Sequence, residues 1–180
     1  MNKRAGYAGP TILLTVIQAM VSWAVFAPPV LAKQALPDIG YDPAWIGLQP
    51  TIVFIAAMVS SMISGTLVAR YNPMRLSQVL LLLAAVGTAL IASGDIWLGI
   101  MGSILIGGAL GPTTPASSHV LSRVTPRRMQ PLIFSIKQTG VPVGGAMAGF
   151  VGPPLTLLWD WQSAILVITV ACLAVAAITE

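Results

Sequence analysis

The chain has 180 residues, 56% of them apolar, with nine basic and five acidic side chains and a net charge of +4. A charged fraction of 8% and a mean hydropathy of +0.87 exclude an ordinary soluble domain, in which about a quarter of residues are charged. The pI near 9.7 would suit nucleic acid, but the basic residues lie between apolar runs with no interleaved aromatics, so nucleic acid is excluded as a partner.

Six apolar runs follow one another: 10–31, 44–69, 76–93, 96–121, 132–158 and 161–179. A helix crosses a bilayer core with roughly 20 apolar residues, and it satisfies its own backbone groups in lipid. The chain therefore reads as an all-α membrane protein with six transmembrane helices and the lipid bilayer as its surroundings, residues 1–180 forming one domain behind a short cytoplasmic tail at 1–9. The first run, after Lys3-Arg4 and ending near Val30-Leu31-Ala32, also has the outline of a signal peptide. It is longer than a signal core and five more runs follow, so it is read as an uncleaved first span.

The connections carry the topology. Residues 32–43 form the longest polar gap and are expected to be an outer loop, with Pro37, Gly40 and Pro43 as turn residues. Residues 70–75 form a tight turn through Asn72-Pro73, so spans two and three make a hairpin. The gap at Asp95 is shorter still. The basic gap 122–131 divides the spans into three plus three, which admits two inverted three-helix repeats. With the N-terminus in the cytoplasm, Lys3, Arg4, Arg70, Arg75, Arg123, Arg127 and Arg128 face inward, while Lys33, Asp38, Asp42, Asp95 and Asp160 face outward. The positive-inside rule favours that orientation, with both termini cytoplasmic and the chain multi-pass in the inner (plasma) membrane. Trp45, Trp97, Trp159 and Trp161 then fall at the outer ends of spans, where an interfacial aromatic belt is expected.

Spans four and five are rich in glycine and proline. Gly107 and Gly111, Gly140 and Gly144, and Gly145 and Gly149 are pairs four apart. Small residues at that spacing make a flat helix face on which a neighbour can pack closely. Pro112, Pro115 and Pro142 remove backbone donors and bend helices.

Lys137 is the one basic residue well inside a span, about 7–8 Å from the inner end. A charge at that depth is a functional candidate that could hold an anionic substrate group; alternatively its long stem snorkels to the interface. Gln138 follows it. His119, the single histidine, lies at a similar depth and is the candidate for proton coupling. Thr113, Thr114, Ser117 and Ser118 make the inner half of span four polar, either lining an aqueous path or satisfying carbonyls freed by Pro112 and Pro115. Gln18 lies near the midplane of span one, where an amide must face protein or water, and Ser60, Ser61 and Ser64 of span two read as packing residues. Cys172 has no partner for a disulfide or a metal, so no cofactor and no metal is expected. Paired carboxylates, a Ser-His-Asp set and a selectivity-filter segment are all missing, so neither an enzyme nor a channel is expected.

The stretch Ser135-Ile136-Lys137-Gln138-Thr139-Gly140-Val141-Pro142-Val143-Gly144-Gly145, continuing to Gly149 and Gly152-Pro153-Pro154, resembles the fifth helix of the major facilitator superfamily. The hairpin Gly65-Thr66-Leu67-Val68-Ala69-Arg70-Tyr71-Asn72-Pro73-Met74-Arg75 is similar to that family's loop between helices two and three. Gly65, Leu67 and Arg70 match the pattern and Arg75 adds a basic position, whereas Ala69 stands at the acidic position and Asn72 at the second glycine. The resemblance implies a secondary transporter for a small solute, organic or inorganic anions among the candidates, working by alternating access. It implies that spans one and four line the cavity, with Gln18, Trp23, Thr114 and Ser118 as contributors, and that Gly65, Leu67, Arg70 and Arg75 form a gating loop. Members of the family have twelve spans, so the missing partner is expected to be a second six-helix half or a second copy. The alternative is a non-transporting membrane scaffold or assembly subunit derived from a half-transporter.

Overall fold

The computed structural model describes residues 5–179; Lys3, Arg4 and the rest of segment 1–4 lie outside the described residues, as does Glu180. Six helices are long and apolar enough to cross a membrane.

The first, α1 (Ala5–Asp38), has 34 residues, about 50 Å of helix against a hydrocarbon core of about 30 Å. It starts before the apolar run 10–31, at Ala5, and it corrects one expectation: most of the expected outer loop 32–43 is helical. Pro28 and Pro29 lie inside the helix rather than ending it. Each removes one backbone donor, but the following Leu31-Ala32-Lys33-Gln34-Ala35-Leu36 is made of strong helix formers. Leu31 and Ala35 are also buried in a cluster with Ala92, Trp161, Ala164 and Ile165, so tertiary packing holds the last two turns.

A 3-10 turn (Pro43–Gly47) leads into α2 (Leu48–Arg70). The Asp42 carboxylate accepts from the Ala44 N–H at 2.7 Å and fixes the entry. Only Tyr71 and Asn72 separate α2 from α3 (Pro73–Ala92), whose start is capped by the Asn72 side chain accepting from the Met74 N–H at 2.9 Å. Gly94, at φ 77, supplies the left-handed conformation that lets the chain reverse within the three residues between α3 and α4. Asp95 then caps α4 (Ile96–Val124), accepting from the N–H groups of Trp97 and Leu98, each at 2.9 Å. The turn between α4 and the fifth span, at the basic end, is pinned by Gln130, whose Nε2 donates to the Ser122 and Thr125 carbonyls at 3.1 and 3.3 Å.

The fifth span is two helices, α5 (Gln130–Gln138) and α6 (Gly140–Leu158), not the one continuous run expected over 132–158. Pro142 cannot donate to the Gln138 carbonyl four residues earlier, and its ring crowds that carbonyl. The Thr139 N–H turns back to Ser135 and Ile136, at 3.2 and 3.1 Å. The last helix, α7 (Trp161–Ile178), begins at Asp160, whose carboxylate accepts from the Ser163 N–H at 2.6 Å. Hydrogen bonds from Ser163, side chain first and backbone second, hold the Asp160 carboxyl below its usual value.

The strongest contacts pair α2 with α4, α3 with α4, α1 with α6 and α3 with α7; α1 also touches α4 and α7. Exchanging spans one to three for spans four to six converts the α2–α4 contact into the contact of α1 with span five, and α3–α4 into α1–α7. Spans one and four point in opposite directions. These corresponding contacts fit two inverted three-helix repeats, although the contact of α1 with α3 has no counterpart between α4 and α7. The helix α1 sits at the centre, with Leu14, Ile17, Val21, Ala24 and Val25 all but inaccessible. By contrast α2 turns Phe54, Met58 and Met62 outward, as a lipid-bathed helix can. The Thr88 and Thr169 hydroxyls, 2.8 Å apart and buried, tie α3 to α7.

Arg70, Arg75, Arg123, Arg127 and Arg128 gather at one end of the bundle and Asp38, Asp42, Asp95 and Asp160 at the other. Three of the four belt tryptophans, Trp45, Trp97 and Trp159, are exposed at the acidic end. Trp161 is not: it is 3% exposed and packs inward, because α7 turns its first residue into the Leu31–Ala35 cluster.

Candidate functional site

Span five carries one buried stripe: Ile133, Lys137, Gly140, Gly144, Ala148 and Gly152. Their spacing of three or four keeps them on one face across the break at Thr139. That face lies on α1. A Cβ at Gly140 would stand 2.6 Å from the Thr15 carbonyl oxygen and 2.9 Å from Gln18 Cβ; one at Gly144 would stand 2.6 Å from Ser22 Cβ and 2.7 Å from the Trp23 nitrogen. Positions advance together along both helices, so α1 and α6 run parallel. The same relation joins Gly107 and Gly111 of α4 to α2, where a Gly107 Cβ would stand 2.6 Å from Ala56 Cβ and a Gly111 Cβ 2.6 Å from the Ala57 carbonyl oxygen. Gly145 and Gly149 differ from what their spacing predicts. A Cβ at Gly145 would make only ordinary contact with the Phe26 ring, and one at Gly149 would meet nothing within 4 Å. Rotated off the buried stripe, that pair has no helix to approach.

At the basic end of the stripe lies Lys137, 1% exposed, with no hydrogen-bond partner for Nζ. Its Nζ is enclosed within the bundle. The next turn of the stripe meets Gln18, also 1% exposed, whose Oε1 has no partner. One turn further on α1 lie Ser22 and Trp23, both buried, with the Ser22 hydroxyl and the Trp23 indole N–H unpartnered as well. Among the described residues the carboxylates all stand at the opposite end of the bundle. The centre of the α1–span five seam therefore holds one cation, one free amide acceptor and two further polar groups without protein partners. Buried polar groups ordinarily have partners, and an unpaired buried charge is costly.

Ser22 is the member that sequence reasoning passed over. Its signal was available: it stands four residues from Gln18 on the same helix face. Other candidates lie elsewhere. Gln138 is exposed and off the stripe, as is Thr139. Thr114 is exposed, and Ser118 and His119 are half-buried, His119 with an unpartnered Nδ1. The hydroxyls of Thr113 and Ser117 donate to the Ala109 and Thr113 carbonyls, at 2.6 and 2.7 Å. They do not serve the carbonyls of Gly108 and Gly111 that Pro112 and Pro115 leave free. Instead, Ser60 of α2 donates across to the Gly107 carbonyl at 3.2 Å. In the inner hairpin Gly65, Arg70 and Arg75 are exposed and Leu67 is half-buried.

A family model for the Major Facilitator Superfamily matches residues 12–179. Over 147 residues the chain is 30% identical to the 4-hydroxybenzoate transporter PcaK of Pseudomonas aeruginosa, an alignment covering 78% of this chain and 31% of that protein. The chain thus spans about a third of the length of that curated relative.

Proposed function

The chain belongs to the Major Facilitator Superfamily, and from that premise we propose that it forms six spans of a secondary transporter that moves a small organic anion by alternating access. Transmembrane transport in general follows from the family. The observation that carries it is Lys137, a buried cation without a carboxylate partner, one turn from the free acceptor of Gln18. A substrate carboxylate would supply the missing counter-charge, with Gln18, Ser22 and Trp23 orienting the rest of the solute. The matched relative is named for 4-hydroxybenzoate, itself a carboxylate, which supports the same class. A second six-helix half or a second copy would close the cavity against spans one and four, with Thr114 and Ser118 lining it and His119 carrying protons. The basic end would face the cytoplasm of the inner membrane by the positive-inside rule, with Arg70 and Arg75 in the gating loop.

Uptake into proteoliposomes by the full-length protein tests this. With 4-hydroxybenzoate and a series of aliphatic carboxylates as solutes, Lys137→Ala abolishes uptake and Lys137→Arg retains part of it. Unchanged uptake of every anion in Lys137→Ala removes the anion site. Absence of uptake of any solute by the unaltered protein favours a membrane scaffold.

A further inference from the structure

The acidic end of the bundle encloses a second cavity, of about 300 Å³, between α1, α2, α4, α7 and the 3-10 turn. Trp23, the nearest member of the Lys137 site, and Pro28, the first α1 residue to line the cavity, are about 7.5 Å apart along the helix, and no residue of the Lys137 site lines it. Its walls are apolar, with Ala35, Ile52, Ile100 and Ile165 among them, and Trp45 and Trp97 add two exposed rings. Besides the hydroxyl of the exposed Tyr41 and the indoles of the exposed Trp45 and Trp97, four polar side chains line it. Two are occupied: Asp95 accepts from the N–H groups of Trp97 and Leu98, and Ser103 donates to the Gly99 carbonyl at 2.7 Å. Two are not. Both side-chain polar atoms of Gln49 are buried without a partner, and so is the indole N–H of Trp161, a residue 97% enclosed.

We infer that this cavity binds a small uncharged aromatic alcohol, held by Gln49 and Trp161 within the six-helix bundle itself. The size is at the lower end of pockets that take small organic ligands. Flat aromatic walls suit a ring. The orphaned groups comprise one acceptor, Gln49 Oε1, and two donors, Gln49 Nε2 and Trp161 Nε1; a hydroxyl both donates and accepts, so it can meet either kind. No lysine or arginine lines the cavity while Asp95 does, so a carboxylate is disfavoured here, the opposite of the preference proposed around Lys137.

The test is calorimetric titration of the full-length protein carrying Lys137→Ala, which removes the proposed anion site, in nanodiscs, with empty nanodiscs subtracted. The ligands are 2-naphthol, naphthalene and 2-naphthoate, which share a ring system and differ in the polar group. Saturable 2-naphthol binding is expected, at least tenfold tighter than that of naphthalene, with no saturable 2-naphthoate binding. Gln49→Leu is expected to weaken 2-naphthol about tenfold. Gly99→Leu is expected to abolish it, since Gly99 lines the cavity and a Cβ there meets nothing within 4 Å. The inference is overturned if 2-naphthol does not saturate, if either other ligand binds as tightly, or if both variants bind like the Lys137→Ala parent. Should a variant fail to fold, the three-ligand comparison on the Lys137→Ala parent decides alone. With Lys137 replaced throughout, none of these outcomes depends on whether Lys137 serves transport.

Discussion

Gly140 stands directly against Gln18, so that a single added methyl would lie 2.9 Å from Gln18 Cβ and 2.6 Å from the Thr15 carbonyl oxygen. The parallel seam between α1 and span five thus depends on the absence of a side chain at Gly140, as it does one turn on at Gly144.

Enlarging either position is expected to part the helices. Gly140→Ala and Gly144→Ala should each lower stability by about 1–3 kcal/mol through overpacking against backbone atoms that cannot move aside. Gly149→Ala, with nothing within 4 Å, should lose nothing and gain up to about 1 kcal/mol from reduced backbone freedom. Thermal unfolding of the three variants in one detergent checks the contrast; equal effects at 144 and 149 would show that spacing, not the α1 contact, matters.

Lys137 should trade stability for function. Lys137→Met keeps the length of the stem and removes an unpaired buried charge, so it is expected to stabilise the fold by on the order of 1–4 kcal/mol while abolishing anion uptake. Melting temperature and uptake, measured on the same preparation, should move in opposite directions. A loss of both would mean that the ammonium is held by a partner in the folded state.

The Thr88–Thr169 hydroxyl pair should couple weakly. Each hydroxyl also reaches a carbonyl of its own helix: Thr88 those of Ala84 and Ala85, and Thr169 that of Ile165. A double-mutant cycle with valine at both positions should therefore return roughly 0.6 kcal/mol, the average for hydrogen bonds between membrane helices. A coupling above about 2 kcal/mol would contradict this.

Asp160 should make the start of α7 sensitive to acid. Its carboxyl is held below the usual value by Ser163, so its contribution is fully present above the ordinary carboxylate pKa of about 4 and is lost as pH falls through the lower folded value. Amide exchange at Ser163 should accelerate below about pH 4, and Asp160→Asn, which still accepts a hydrogen bond, should remove that dependence. Exchange that is flat from pH 7 to pH 3 would dismiss it.

Much of this was legible from the chain. Six spans, the hairpin at Asn72 and the segregation of arginine from aspartate are local facts. A lipid solvent asks only for about 20 apolar residues in a row, and turn residues mark where they stop. The polar gap 32–43 misled that reading, because Pro37 and Gly40 mark turn residues but not whether neighbours hold the helix together as far as Asp38. Packing of Leu31 and Ala35 on Trp161 does so here.

The site was legible only in part. Gln18 and Lys137 stand out as polar residues in apolar runs, yet nothing along the chain says that one face of span five joins them. Gly140-Gly144 and Gly145-Gly149 have the same spacing, and Trp159 and Trp161 have the same distance from the acidic loop. In each pair one member is enclosed and the other is not. The sequence by itself determined how many helices cross the membrane and where they turn, because those depend on each segment's own contact with lipid and water. Only the tertiary structure decided which face of each helix is inside, because rotation about a helix axis is set by neighbours more than a hundred residues away.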